Sequence, residues 1–182
     1  MSWETELVRR YPLLFRAEQS ECAPGYPCVG DGWQLIVEKA IERIDAAVRG
    51  LHGDAKAVVA IRQIKEKFGG LRIYAEWTAV PADVGARIQE AIDLAAARSF
   101  CTCELCGARG QIHNDDGWFA TRCDRHAEGE PVEPKQGEPD LHIKYVVADG
   151  KMRVLTCRRY DRERDVFVEA QLPPGEQWAE GK

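Results

Sequence analysis

The chain contains no run of about 18 apolar residues, so nothing in it reads as a membrane span. Its opening, MSWETELVRRYPLLF, carries two acids near the start and lacks the order of a secretory leader. A cytoplasmic home is expected by elimination. An excess of basic residues is missing too. The net charge is −5, so bulk electrostatics do not draw nucleic acid. There is no Walker loop, no dinucleotide fingerprint and no Gly-x-Ser-x-Gly elbow. The full zinc-deaminase pattern, His-x-Glu followed by Pro-Cys-x-x-Cys, is not met. Catalysis therefore has few places to reside.

Cysteine is not scarce. There are seven, and four of them fall between 101 and 126 together with two of the four histidines. In a reducing compartment such cysteines are better read as metal ligands and buried thiols than as disulfides. Cys103-x2-Cys106 and Cys123-x2-His126 make two close pairs, with 16 residues between Cys106 and Cys123. A two-residue spacer lets one turn give two ligands to one ion, and the wider gap matches the zinc pattern of paired ligands. Gly107 permits the tight turn after the first pair. The expectation is Zn2+ held by Cys103, Cys106, Cys123 and His126 in a treble-clef-like or ribbon-like knuckle. A hairpin fills the gap, and a short helix starts at the second pair. Cys101 competes as a ligand but fits the Cys-x2-Cys-Gly turn less well.

Four good ligands point to a closed, structural site, because a catalytic zinc keeps one position open. The rival is an HNH-type nuclease with His113 and Asn114 as base and orienter. It lacks the Asp-His or His-His pair and the longer insert of that class, so His113 is expected to be an ordinary hairpin residue.

The rest reads as an α+β protein with 45% hydrophobic residues, enough for a core. A short first helix ends before Pro12. EQSECAPGYPCVGDG is a loop, broken by three glycines and two prolines. Asp31 is the expected N-cap of a helix from about 32 to 50, with Trp33, Ile36, Val37, Ala40, Ile41 and Ile44 along one face. Residues 57–77 form a β-hairpin with Gly69-Gly70 as its turn. Pro81 starts a second helix, to about 98. Residues 1–127 make the main domain, 128–140 an acidic proline-rich linker, 141–172 a C-terminal hairpin or small sheet turning at Asp149-Gly150, and 173–182 a tail. RRYDRERD at 158–165 is expected to be a solvated mixed-charge turn, and Cys157 a core residue. Cys22 and Cys28 read as loop or buried thiols. Trp33 and Trp118, each after Asp-Gly, read as core anchors.

Lys65, Lys67 and Arg72, with Phe68 among them, make the hairpin about the most basic place in the chain. Such a tip is able to hold phosphates and stack a base. The alternative is a solvated turn with Phe68 folded back on the core, or a protein contact.

YPLLF, CVGDGW, QIKEKFGGLRIY, CELCG and GWFATRCDRHA, in that order, resemble a family of small uncharacterised bacterial and phage-associated proteins over residues 10 to 127. The GYPC loop and the hairpin beyond 140 depart from it. The resemblance implies no activity. Four apparent ligands and no catalytic set point to a non-catalytic binding protein, and the phage or mobile-element setting of the resemblance implies an inhibitor or adaptor acting on a host protein. Nucleic acid is the alternative partner.

Overall fold

The computed structural model describes residues 1–16, 25–51, 56–133 and 140–172. Met1–Val132 and Glu133–Lys182 form two compact units. Among the described residues no helix is long and apolar enough to cross a membrane.

In the first unit α1 spans Trp3–Arg10, and the Ser2 hydroxyl accepts from the Thr5 N–H at its start. The helix stops at Tyr11, because Pro12 disfavours helical geometry before it. Pro12 then opens the one-turn α2, Pro12–Phe15. The strand β1, Pro27–Cys28, leads to a 3-10 turn over Asp31–Trp33 and then α3, Gln34–Val48. Asp31 is not the cap that was expected. Its carboxylate accepts from Trp3 Nε1 at 3.0 Å instead, a tertiary use that takes it away from the helix end.

The hairpin strands are β2, Val58–Lys67, and β3, Gly70–Thr78, followed by α4, Ala82–Ser99. The pairing Lys67↔Gly70 leaves a two-residue turn of Phe68 and Gly69, with φ of 54° and 75°. The turn is therefore one residue earlier than the two glycines indicate. Gly70 serves a different need, since a Cβ there would run into the Phe100 ring. Phe68 does not fold back on the core and is 66% exposed.

α3 and α4 pack on each other, α4 against β3, and α2 against β2. Val37, Ile41, Ile44, Ile64, Leu71 and Ile88 are buried at the centre. Each contributes about 1.5–3 kcal/mol on leaving water. β1 adds to β2 in parallel, so the first sheet runs β1-β2-β3.

Beyond α4 come β4, Gln111–Asp115, and β5, Trp118–Arg122, an antiparallel pair turning at Asp116-Gly117. The two-residue β6, Glu130–Pro131, pairs with the other edge of β4. The acidic stretch thus does not all behave as linker: its first residues close the β5-β4-β6 sheet. An edge suits Pro131, which has no N–H to donate. Gly129, at φ 71°, lets the chain come in against the Asn114 backbone. The expected short helix after the second ligand pair is absent, since 124–126 form a turn and the chain extends to β6. Linker residues 134–139, the tail 173–182 and Cys22 lie outside the described residues.

The second unit is a meander of β7, Leu141–Ala148, β8, Lys151–Asp161, and β9, Val166–Glu169. Asp149 and Gly150 turn it with φ of 53° and 72°, as a two-residue hairpin needs. The stretch expected to be a solvated turn is half strand. Arg158 through Asp161 belong to β8, Tyr160 is buried, and Arg158 lies 4.1 Å over the Phe167 ring. Cys157 is partly exposed on β8, opposite Ile143.

Candidate metal centre

Cys103 and Cys106 lie in a loop that α4 delivers through Thr102. The loop closes on itself: Gly107 N–H donates to Cys103 O and Cys103 N–H to Ala108 O, each at 2.8 Å. Gly107 has φ 74°, the conformation that favours glycine. Cys123 ends β5, and His126 N–H donates back to Cys123 O at 2.8 Å, so the second pair also shares one turn.

The four ligand atoms lie within 4.8 Å of one another. Cys106 and Cys123 Sγ are 3.7 Å apart, and His126 Nδ1 is 3.6 Å from Cys103 Sγ and 3.4 Å from Cys123 Sγ. A tetrahedron with metal–sulfur bonds near 2.3 Å and metal–nitrogen near 2.05 Å has edges of roughly 3.5–3.8 Å. These three separations match such edges, and the whole group is compatible with one small cation. Cys101 is not part of it, since its Sγ faces Arg98 O at 3.2 Å, at the end of α4.

The thiols are poised unequally. Burial pushes Cys103 up. Backbone bonds from Cys123 and Cys106, the His126 side chain and a Leu105 backbone bond outweigh it and bring the thiol down to about 6. For Cys106 an Ala108 backbone bond pulls down, but desolvation and the neighbouring Cys103 and Cys123 sulfurs push the thiol above its ordinary value. Sulfurs crowded this closely resist ionising together, and a cation removes that conflict.

Three other segments brace the loop. Glu104, between the two cysteines, pairs with Arg122 at 3.0 Å with both side chains largely buried. Its carboxylate also accepts from Gly30 N–H at 3.2 Å, its carbonyl from Gly32 N–H at 2.8 Å, and its own N–H donates to Thr121 O at 3.1 Å. Trp33 Nε1 donates to Thr102 O at 2.8 Å from full burial. The hairpin tip joins as well, since Thr121 Oγ1 donates to Gly69 O at 2.6 Å. GDGW, the hairpin tip and the cysteine loop, read from sequence as separate motifs, meet here. Glu104 and Arg122 were not foreseen as a pair. The two glycines of GDGW are the sequence signal for the close approach.

Trp33 is the expected anchor. Trp118 is not: it is 77% exposed, because it stands on the side of β5 opposite Phe119 and Thr121, and Thr121 is the one buried. His113 is on β4, mostly buried, with Nδ1 3.0 Å from Gln111 O and outside the ligand group. His126-Ala127-Glu128 does match the first half of the deaminase pattern, but no Pro-Cys-x-x-Cys follows it, and Pro27-Cys28 stands in β1. Lys65, Lys67, Phe68 and Arg72 are apart from the ligands, on the hairpin. Lys65 lies 5.6 Å from the Tyr74 ring, Lys67 5.4 Å from Phe68 and Arg72 5.5 Å from Phe100.

Compared with family models, curated proteins and solved structures, the chain matches none of them.

Proposed function

We propose that this is a zinc-stabilised, non-catalytic binding protein. The observation that carries the reading is the compact Cys103, Cys106, Cys123, His126 group, whose donor spacing suits a four-coordinate zinc with no position left for water or substrate. Three sulfurs and one imidazole favour zinc over hard, oxygen-seeking cations. The arrangement is ribbon-like: turn, hairpin, turn, with the metal joining the turns. The ion holds the cysteine loop, the GDGW loop and the hairpin tip as one rigid platform. A macromolecule rather than a small substrate is the partner of such a surface. The host-protein partner implied by the resemblance stays within this reading.

The test is metal analysis of the purified chain with thermal melts before and after chelation. One zinc per chain and a melt that falls on its removal support the reading. Turnover of any substrate by the zinc-loaded chain, lost without loss of fold in His113→Ala, overturns it in favour of the nuclease.

A further inference from the structure

The outward face of the β2–β3 hairpin joins cations to exposed aromatic rings. Lys65 pairs with Arg72, Lys67 with Gly70 and Gln63 with Tyr74, and residues directly opposite share a face. The other face carries Ile64, Leu71 and Ile73 into the core. Glu66, on that inner side, turns its carboxylate to the Gly69 N–H at 2.6 Å. From the turn to Gln63 and Tyr74, then, the outward face holds three cations and no acid. The Arg62–Glu76 ion pair, at 2.8 Å, marks its far end. Rings accompany the cations. Phe68 is 66% and Tyr74 43% exposed, and each has a lysine ammonium within 5.6 Å of its centroid. Exposed Trp118 is two residues along β5 from Ala120, whose backbone comes within 3.5 Å of where a Gly69 Cβ would be.

We propose that this face binds single-stranded nucleic acid, with Lys65, Lys67 and Arg72 on phosphates and Phe68 and Tyr74 stacked on bases. It gives the binding-protein reading its partner and rests on that reading. The net charge of −5 does not oppose it, because potentials are screened within about 8–10 Å and the local cations dominate at contact. Ring faces exposed beside cations engage unpaired bases, whereas a duplex hides its base faces and an acidic peptide has none. None of these groups reads a 2′-hydroxyl, so DNA and RNA strands are expected to bind alike.

The experiment is fluorescence anisotropy with the zinc-loaded full chain and labelled oligo-dT of about 15 nucleotides, against oligo-rU, a duplex of equal length and polyglutamate. Three phosphate contacts on a single strand predict a salt slope near −2, roughly a 20-fold loss of affinity from 50 to 200 mM salt. Lys67→Gln should reduce the slope by about 0.7. Phe68→Ala should weaken binding about 5-fold or more at unchanged slope. Both side chains are exposed, so zinc content and melting should not move. The proposal is overturned by no binding at 50 mM salt, by a duplex bound as tightly as the strand, by indifference to both substitutions, or by polyglutamate competing equally. Zinc and melt are read on the same samples. Failure to bind with both intact therefore removes the nucleic-acid partner and leaves the structural zinc standing.

Discussion

The bare α-carbon of Gly32 lies directly against the Cys103 carbonyl, with Cys106 N 2.6 Å from the place a Cβ would take. Two segments 71 positions apart in sequence therefore share one van der Waals surface at the metal loop. Backbone cannot yield as a flexible side chain does, so this contact makes the GDGW loop part of the site.

Gly32→Ala should accordingly destabilise the protein by about 1–3 kcal/mol or more through overpacking and weaken retention of the proposed zinc. Gly50→Ala is the control: nothing lies within 4 Å of its added Cβ. It should be neutral or stabilising by about 0.5 kcal/mol. Chemical denaturation and zinc release to a competing chelator read both. Equal effects at the two glycines would sink the argument.

On the proposed zinc reading, Cys106→Ser should drop metal content from one ion per chain to near zero. Structural zinc supplies on the order of 10 kcal/mol of apparent folding energy. The melt should fall by about 15 °C or more, given roughly 2–4 °C per kcal/mol for a chain of this size. Cys101→Ser should retain the metal. A zinc-free Cys101→Ser protein would show that the ligand set is wrong.

Glu104→Ala leaves Arg122 largely buried without its carboxylate and should cost about 3–5 kcal/mol. Glu76→Ala breaks an ion pair of similar length, Arg62–Glu76 at 2.8 Å, but in the open. It should cost within about 0.5 kcal/mol. Burial and not distance separates the two, and urea melts of both variants measure it.

In the metal-free chain, Cys103 is held near 6 against an ordinary thiol value of 9.0. A depressed value means that the folded state loses the proton first. Between about 6 and 9 the unfolded state binds more protons, so stability rises with pH across that window. The contribution is fully present above 9.0 and lost as pH falls through about 6. A thiolate absorbance titration should show a component near 6 that disappears in Cys103→Ser. An unchanged titration in that variant would assign the shift elsewhere.

Trp33→Ala should cost about 3–5 kcal/mol, while Trp118→Ala should stay within about 0.5 kcal/mol. Sequence alone treats the two as equivalent, since each follows Asp-Gly. Only the fold distinguishes them.

Local physics made much of this protein legible in advance. The 3.6-residue period placed α3 and α4, because one helical face must leave water. Alternation placed β3, and Pro12 ended α1 by steric exclusion. The two-residue spacers selected Cys103, Cys106, Cys123 and His126 as a group, because one tight turn presents two ligands to one ion. These are short-range rules, and their evidence lies within a few residues. Tertiary structure decided what depends on a neighbour distant in sequence. Asp31 left its helix end for the Trp3 indole. Gly70 served the Phe100 ring while Phe68 took the turn, and Pro131 closed an edge of β4 instead of joining a linker. Glu104 found Arg122 only once β5 lay beside the cysteine loop. A residue's conformational options are written in its own chemistry, but its burial and its partner are set by what the rest of the chain brings against it.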